Sequence, residues 1–145
     1  MLELNEKMNG IIVPLVTPLT AKGGIDEDSL RSLANFVVDG GVNGVFVMGT
    51  TGEFQYLSDE QQGVAIQIVV DEVGHRTHVV AGVTGSSIEK TTRNLIFAGK
   101  MSKPPHAAVI APLCYHSNRG LPQHVERLNA ITELPILLYN IHPII

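Results

Sequence analysis

Five short apolar runs recur along the chain, at residues 11–16, 44–48, 78–83, 107–111 and 135–139. Their starts lie roughly 30 residues apart, the length of a strand–helix–strand unit. This spacing constrains the fold more than any other feature. Each run is too short for a helix, is rich in Val and Ile, and is apolar at consecutive rather than alternate positions. Such runs read as strands covered on both faces, as in a parallel sheet.

The intervening segments carry helical period. Leu30, Leu33, Ala34 and Val37 repeat at i, i+3, i+4, i+7, behind acidic Asp26-Glu27-Asp28 and ahead of Gly40-Gly41. Ser58 to Gln61 has the spacing of a capping box, with Ile66, Val69, Val70 and Val73 as the expected buried stripe and Gly74 as the stop. Ser86 and Glu89 repeat that spacing ahead of Leu95 and Ala98, and Pro122 suits a first helical turn before Val125 and Leu128. The predicted order is βαβαβαβαβ, an α/β fold in a single domain over 1–145. Two architectures accommodate it. One is strands 1–5 with helices 1–4 of a (β/α)8 TIM barrel, the N-terminal half of a fold that takes about 250 residues in full. The other is an open doubly wound parallel sheet of flavodoxin type. Both place function at the carboxyl ends of the strands.

Charge and cysteine content narrow the function classes. A net charge of -4 with no basic cluster argues against nucleic acid or an anionic membrane as partner. The single cysteine, Cys114, leaves no internal disulfide and no multi-cysteine zinc site, which favours a reducing compartment. The first apolar run is short and broken by Pro14, unlike a signal peptide or a membrane span. The expectation is a cytoplasmic protein with no cofactor and no metal. His75 and His78 form an H-x-x-H with no third ligand in view, and read as solvent-facing. Glu53 reads as a structural residue receiving backbone donors at a helix start.

The strand ends carry the chemistry. After the second run comes Gly49-Thr50-Thr51-Gly52-Glu53. Glycines permit close backbone approach and leave amides free, so such a turn makes a concave anion site, and two hydroxyls add donors suited to one small carboxylate. The competing reading is that both threonines bond locally within a tight turn. After the fifth run comes Tyr139-Asn140. A tyrosine there can relay protons once neighbours help its pKa, ordinarily near 10, or can serve as a half-buried wall.

In chain order, "VPLVTPLTAKGGID", "GVNGVFVMGTTGEFQYLSDEQ", "VVAGVTGSS" and "LPILLYN" resemble the dihydrodipicolinate synthase/N-acetylneuraminate lyase family, over about residues 10–140. The resemblance implies a (β/α)8 barrel and class I aldolase-type chemistry on pyruvate or a related 2-oxo acid. In that chemistry a family lysine forms a Schiff base with the keto group. The enamine is then made or consumed as a C–C bond forms or breaks. By the same resemblance Thr51 and the amides around it, with Gly49 and Gly52, form the carboxylate site. Thr50 hydrogen-bonds the catalytic tyrosine, which is Tyr139, and Tyr115 lies with the substrate.

Three departures from the family pattern stand out. The family lysine belongs at the end of strand six, whereas Lys7, Lys22, Lys90, Lys100 and Lys103 all fall away from strand ends, so this chain holds no Schiff-base lysine. Many members place a tyrosine two residues after the proline of strand four; here Cys114 holds that place and Tyr115 follows, so either Tyr115 substitutes by a local shift or the relay is altered. The synthases carry an arginine soon after the Tyr-Asn pair, and 141–145 contain none, which tilts the reading toward a sugar-acid or other 2-oxo-acid aldolase. The rival reading is a non-catalytic half-barrel. Five strands do not close a barrel of this type, so the expected partner is a second copy, in a homo-oligomer, or a separate C-terminal half.

Overall fold

The computed structural model describes residues 8–111 and 120–140. Five strands, β1 (Ile12–Pro14), β2 (Gly44–Val47), β3 (His78–Gly82), β4 (Ala107–Ile110) and β5 (Ile136–Leu138), form one parallel sheet in the order β1-β2-β3-β4-β5. Four helices alternate with them: α1 (Glu27–Asp39), α2 (Asp59–Val73), α3 (Ile88–Gly99) and α4 (Leu121–Asn129). A single 3₁₀ turn, Phe54–Tyr56, precedes α2. The strand order decides between the two architectures. A doubly wound sheet reverses its order at a switch point, whereas here each strand is laid beside its predecessor. This is the pattern of the first five strands of a (β/α)8 barrel, and the open sheet is set aside.

Capping chemistry fixes most of the helix boundaries. Asp26 accepts from the Ser29 amide at the start of α1. Ser58 and Gln61 complete the expected reciprocal capping box on α2, which ends at Gly74. The start of α3 differs by one residue: Ser87 rather than Ser86 is the cap, accepting from the Lys90 amide at 3.1 Å. Glu53 also differs from expectation. It adopts a left-handed conformation (φ 57°), is exposed, and caps no helix with its side chain.

Alternate residues of each strand face opposite ways. Val45, Val47, Val79 and Ala81 pack outward against α1 and α2, in one cluster with the predicted stripe Ile66, Val69, Val70 and Val73. Ala108 and Ile110 pack outward with Leu95, Ala98 and Leu128. The intervening residues form a separate inner layer, in which Ile12, Phe46 and Leu137 pack on Val80, Ala107 and Val109. Two apolar faces explain why the runs are apolar throughout.

At the amino end of the sheet His106 continues the β3–β4 ladder. Its amide donates to the Val79 carbonyl (2.8 Å), and its Nδ1 accepts from the Val79 amide (3.1 Å). His78 packs edge-on beside it, ring centroids 5.2 Å apart. The Nδ1 of His78 is buried without a partner, so this side chain is less solvent-facing than expected, while His75 is exposed. Burial, then the neighbouring His78, lowers the pKa of His106 below its ordinary 6.5. A proton on Nδ1 would also displace the Val79 N–H. The unfolded chain therefore binds the proton more readily than the fold. His106 contributes stability that is complete above its unfolded pKa and is lost as pH falls from there toward the depressed folded value. His124, lowered by burial and then by Arg127, acts with the same sign. Urea midpoints are expected to fall between about pH 7 and pH 5. His106→Gln keeps an acceptor for Val79 and is expected to flatten that slope; an unchanged slope would place its origin elsewhere.

Candidate active site

The carboxyl ends of β2 to β5 converge on a cavity of about 430 Å³. Its wall combines Phe46, Met48, Phe54, Val109 and Ala111 with the polar side chains of Thr50, Gln55, Gln62, Thr84, Ser86, Lys90 and Tyr139.

The turn after β2 is held from three sides. Gly52 N–H donates to the Gly49 carbonyl (3.0 Å) and Glu53 N–H to the Thr50 carbonyl (3.0 Å), so Thr50 and Thr51 occupy the middle of the turn. Their own amides have no hydrogen-bond partner among the described residues. From the loop after β1, the Thr17 hydroxyl donates to the Gly52 carbonyl (2.7 Å). On the strand side, Met48 enters the turn in the left-handed conformation (φ 60°), a costly geometry for a side-chain-bearing residue. Its carbonyl is turned onto Gly82 of β3, where a Cβ would overlap it.

Thr50 and Tyr139 both line the cavity, although no hydrogen bond joins their hydroxyls. Thr51 is exposed and off the cavity wall; of the amides in the turn only its own and that of Thr50 are free, since those of Gly52 and Glu53 are bonded within it. Gly49 lines the cavity, and Gly52 is buried beneath the turn. Tyr115, Cys114 and residues 141–145 lie outside the described residues. Tyr139 is tied through its backbone N–H to the Ile110 carbonyl (2.9 Å), and its ring stands edge-on to Phe46.

Three site residues were not evident in the sequence. Thr84 is buried and its Oγ1 accepts from the Ala111 amide (2.8 Å), joining the ends of β3 and β4. Thr91 accepts from the Gly85 amide (2.9 Å) and holds the loop after β3. The third, Lys90, stands in the first turn of α3 and nonetheless lines the cavity, because its stem lies against Gly85, which has no side chain to block it. Its Nζ is ion-paired with Asp59 (2.9 Å). Among the described residues no three His, Cys, Asp or Glu side chains gather as a metal site, and no helix is long and apolar enough to cross a membrane.

A sequentially ordered parallel sheet with a hydroxyl-bearing cavity at its carboxyl edge places the chain among the (β/α)8-barrel proteins. Within that class it belongs to the dihydrodipicolinate synthetase family, whose model matches residues 7–144. It is 35% identical over 138 residues to the 4-hydroxy-tetrahydrodipicolinate synthase of Methanothermobacter thermautotrophicus, covering 93% of this chain and 48% of that protein. The crystal structure of the Acinetobacter baumannii dihydrodipicolinate synthase complexed with pyruvate superposes with a TM-score of 0.85 at 30% identity, over 92% of this chain and 46% of the other. The N-acetylneuraminate lyase of Mycoplasma synoviae shares the fold, with a TM-score of 0.81 at 24% identity, over 94% of this chain and 48% of that one. The chain thus spans about half the length of the relatives it matches.

Proposed function

We propose that this chain supplies the carboxylate-binding and proton-relay half of a Schiff-base lyase or synthase acting on pyruvate or a related 2-oxo acid. The observation that carries the reading is the turn at Gly49–Gly52, whose two central amides are unpaired and whose Thr50 shares a cavity wall with Tyr139. Membership of the family and the likeness to a synthase crystallised with pyruvate support it.

In this reading the free amides and the Thr51 hydroxyl hold the substrate carboxylate. Neutral donors suit that task, because they fix a small anion without a counter-charge that would also attract water and other anions. Thr50 orients the Tyr139 hydroxyl, and Tyr139 moves the proton that must leave or join the substrate as the Schiff base forms and the C–C bond changes. The apolar wall of Phe46, Met48, Val109 and Ala111 keeps bulk water from the enamine. The nucleophilic lysine comes from outside residues 1–145.

Borohydride reduction in the presence of pyruvate tests the assignment. In a protein containing the complete barrel, mass spectrometry is expected to find one reduced pyruvate adduct, on a lysine beyond residue 145. The 145-residue chain alone is expected to give none. A stoichiometric adduct on Lys90, or on any other lysine of this chain, would overturn the reading.

A further inference from the structure

We propose that Phe46 is a positioning residue that links the Gly49–Gly52 turn to Tyr139, so that the turn and the tyrosine ring move as one unit. The functional weight of this link rests on the role given above to Tyr139; the link itself does not.

Two independent contacts of one ring carry the inference. Phe46 stands on the inner face of β2, and its ring meets that of Tyr139 edge-on, with centroids 5.6 Å apart and planes at 90°. The Cε1, Cζ and Cδ1 atoms of the same ring lie 2.7, 3.0 and 3.2 Å from where a Cβ on Gly49 would stand. Glycine at 49 is thus what lets the ring sit against the turn. β2 and β5 are not neighbours in the sheet, since β3 and β4 lie between them. The contact therefore spans the inside of the sheet's curve, a distance that requires a large, stiff side chain.

The Tyr139 ring has no polar tether among the described residues. Its backbone is fixed to Ile110, but its side chain makes no hydrogen bond to a described residue, and it is 38% exposed. Aromatic pairs prefer the edge-on geometry seen here over many alternatives. A Cβ at position 49 would press on the Phe46 ring, and that ring stands edge-on to Tyr139.

The test is NMR of the 145-residue chain carrying ring-labelled tyrosine, with Tyr139→Phe used to assign the Tyr139 signal. Phe46→Leu removes the ring and is expected to move the Tyr139 ring resonances. Gly49→Ala leaves Phe46 intact and is expected to move the same Tyr139 resonances by displacing the ring. In the Phe46→Leu background, Gly49→Ala is expected to cause no further change. Additive shifts, or a Tyr139 signal indifferent to Gly49→Ala, would overturn the link; general unfolding is recognised separately, by loss of the helical circular dichroism signal. Titration of the wild-type chain with pyruvate separates the two proposals. Silent Thr50 and Thr51 amides would count against the carboxylate site, whereas the coupling of positions 46, 49 and 139 is read without any ligand.

Discussion

In the complete barrel, Tyr139→Phe is expected to lower turnover by ~10²–10⁴-fold, the range typical of a lost proton-transfer group, while KM changes little. The substitution is selective. Phenylalanine keeps the ring that packs edge-on against Phe46 and the backbone bond to Ile110, and removes only the hydroxyl. The unpaired amides of Thr50 and Thr51 are in another segment and are left as they were. A group that acts on the proton in flight is felt in kcat, whereas a group that only lines the cavity is felt in KM. Steady-state kinetics in which KM rises and kcat holds would reduce Tyr139 to a wall residue and remove the relay from the mechanism.

Gly82→Ala is expected to cost ~3 kcal/mol or more of folding stability, at the upper end of what overpacking a core causes. A Cβ on Gly82 would overlap the Met48 carbonyl oxygen, and that atom belongs to backbone, so no rotamer change relieves the clash. Moving the carbonyl means moving Met48, whose left-handed conformation already holds the peptide at the entry to the turn. Loss of stability and loss of the turn should therefore come together. Urea unfolding should show a lowered midpoint, and the amide signals of Thr50 and Thr51 should shift. A variant with the wild-type midpoint would mean that the Met48 peptide is free to turn away from β3.

Most of the framework was legible because its signals are local. The strands follow from apolar runs, and α1 and α2 from a capping side chain followed by a period of 3.6. The start of α3 slipped by one residue since Ser86 and Ser87 stand together, and only Ser87 has its hydroxyl over the first turn. The turn after β2 was legible as a turn, since glycines flank it, but the string left its hydroxyls open between an anion site and local bonding. Contacts between strands were not. Nothing in the string around Gly82 says that the Met48 carbonyl will be laid upon it, and nothing near Phe46 says that its ring will meet a tyrosine 93 positions later. Lys90 escaped notice for a related reason: counting from the strand end places it on a helix, and only the bare Gly85 beneath its stem brings it back to the cavity.

The strict succession of strands also governs the order in which the chain can acquire structure as it leaves the ribosome. Each new strand pairs with the one made just before it, closing a loop of roughly 30 residues at an entropic cost on the order of 3 kcal/mol. No pairing within β1 to β5 waits for a distant segment, so the sheet can grow vectorially, one βα unit at a time. The exposed edge advances with synthesis from β2 to β5. The free side of β1 is different, because in a closed barrel its neighbour is the last strand to be made. That side must stay unpaired longest, in the company of other nascent chains. β1 is only three residues long and ends in Pro14, which lacks an N–H to donate. Shortness and a missing donor both make it a poor template for a foreign strand.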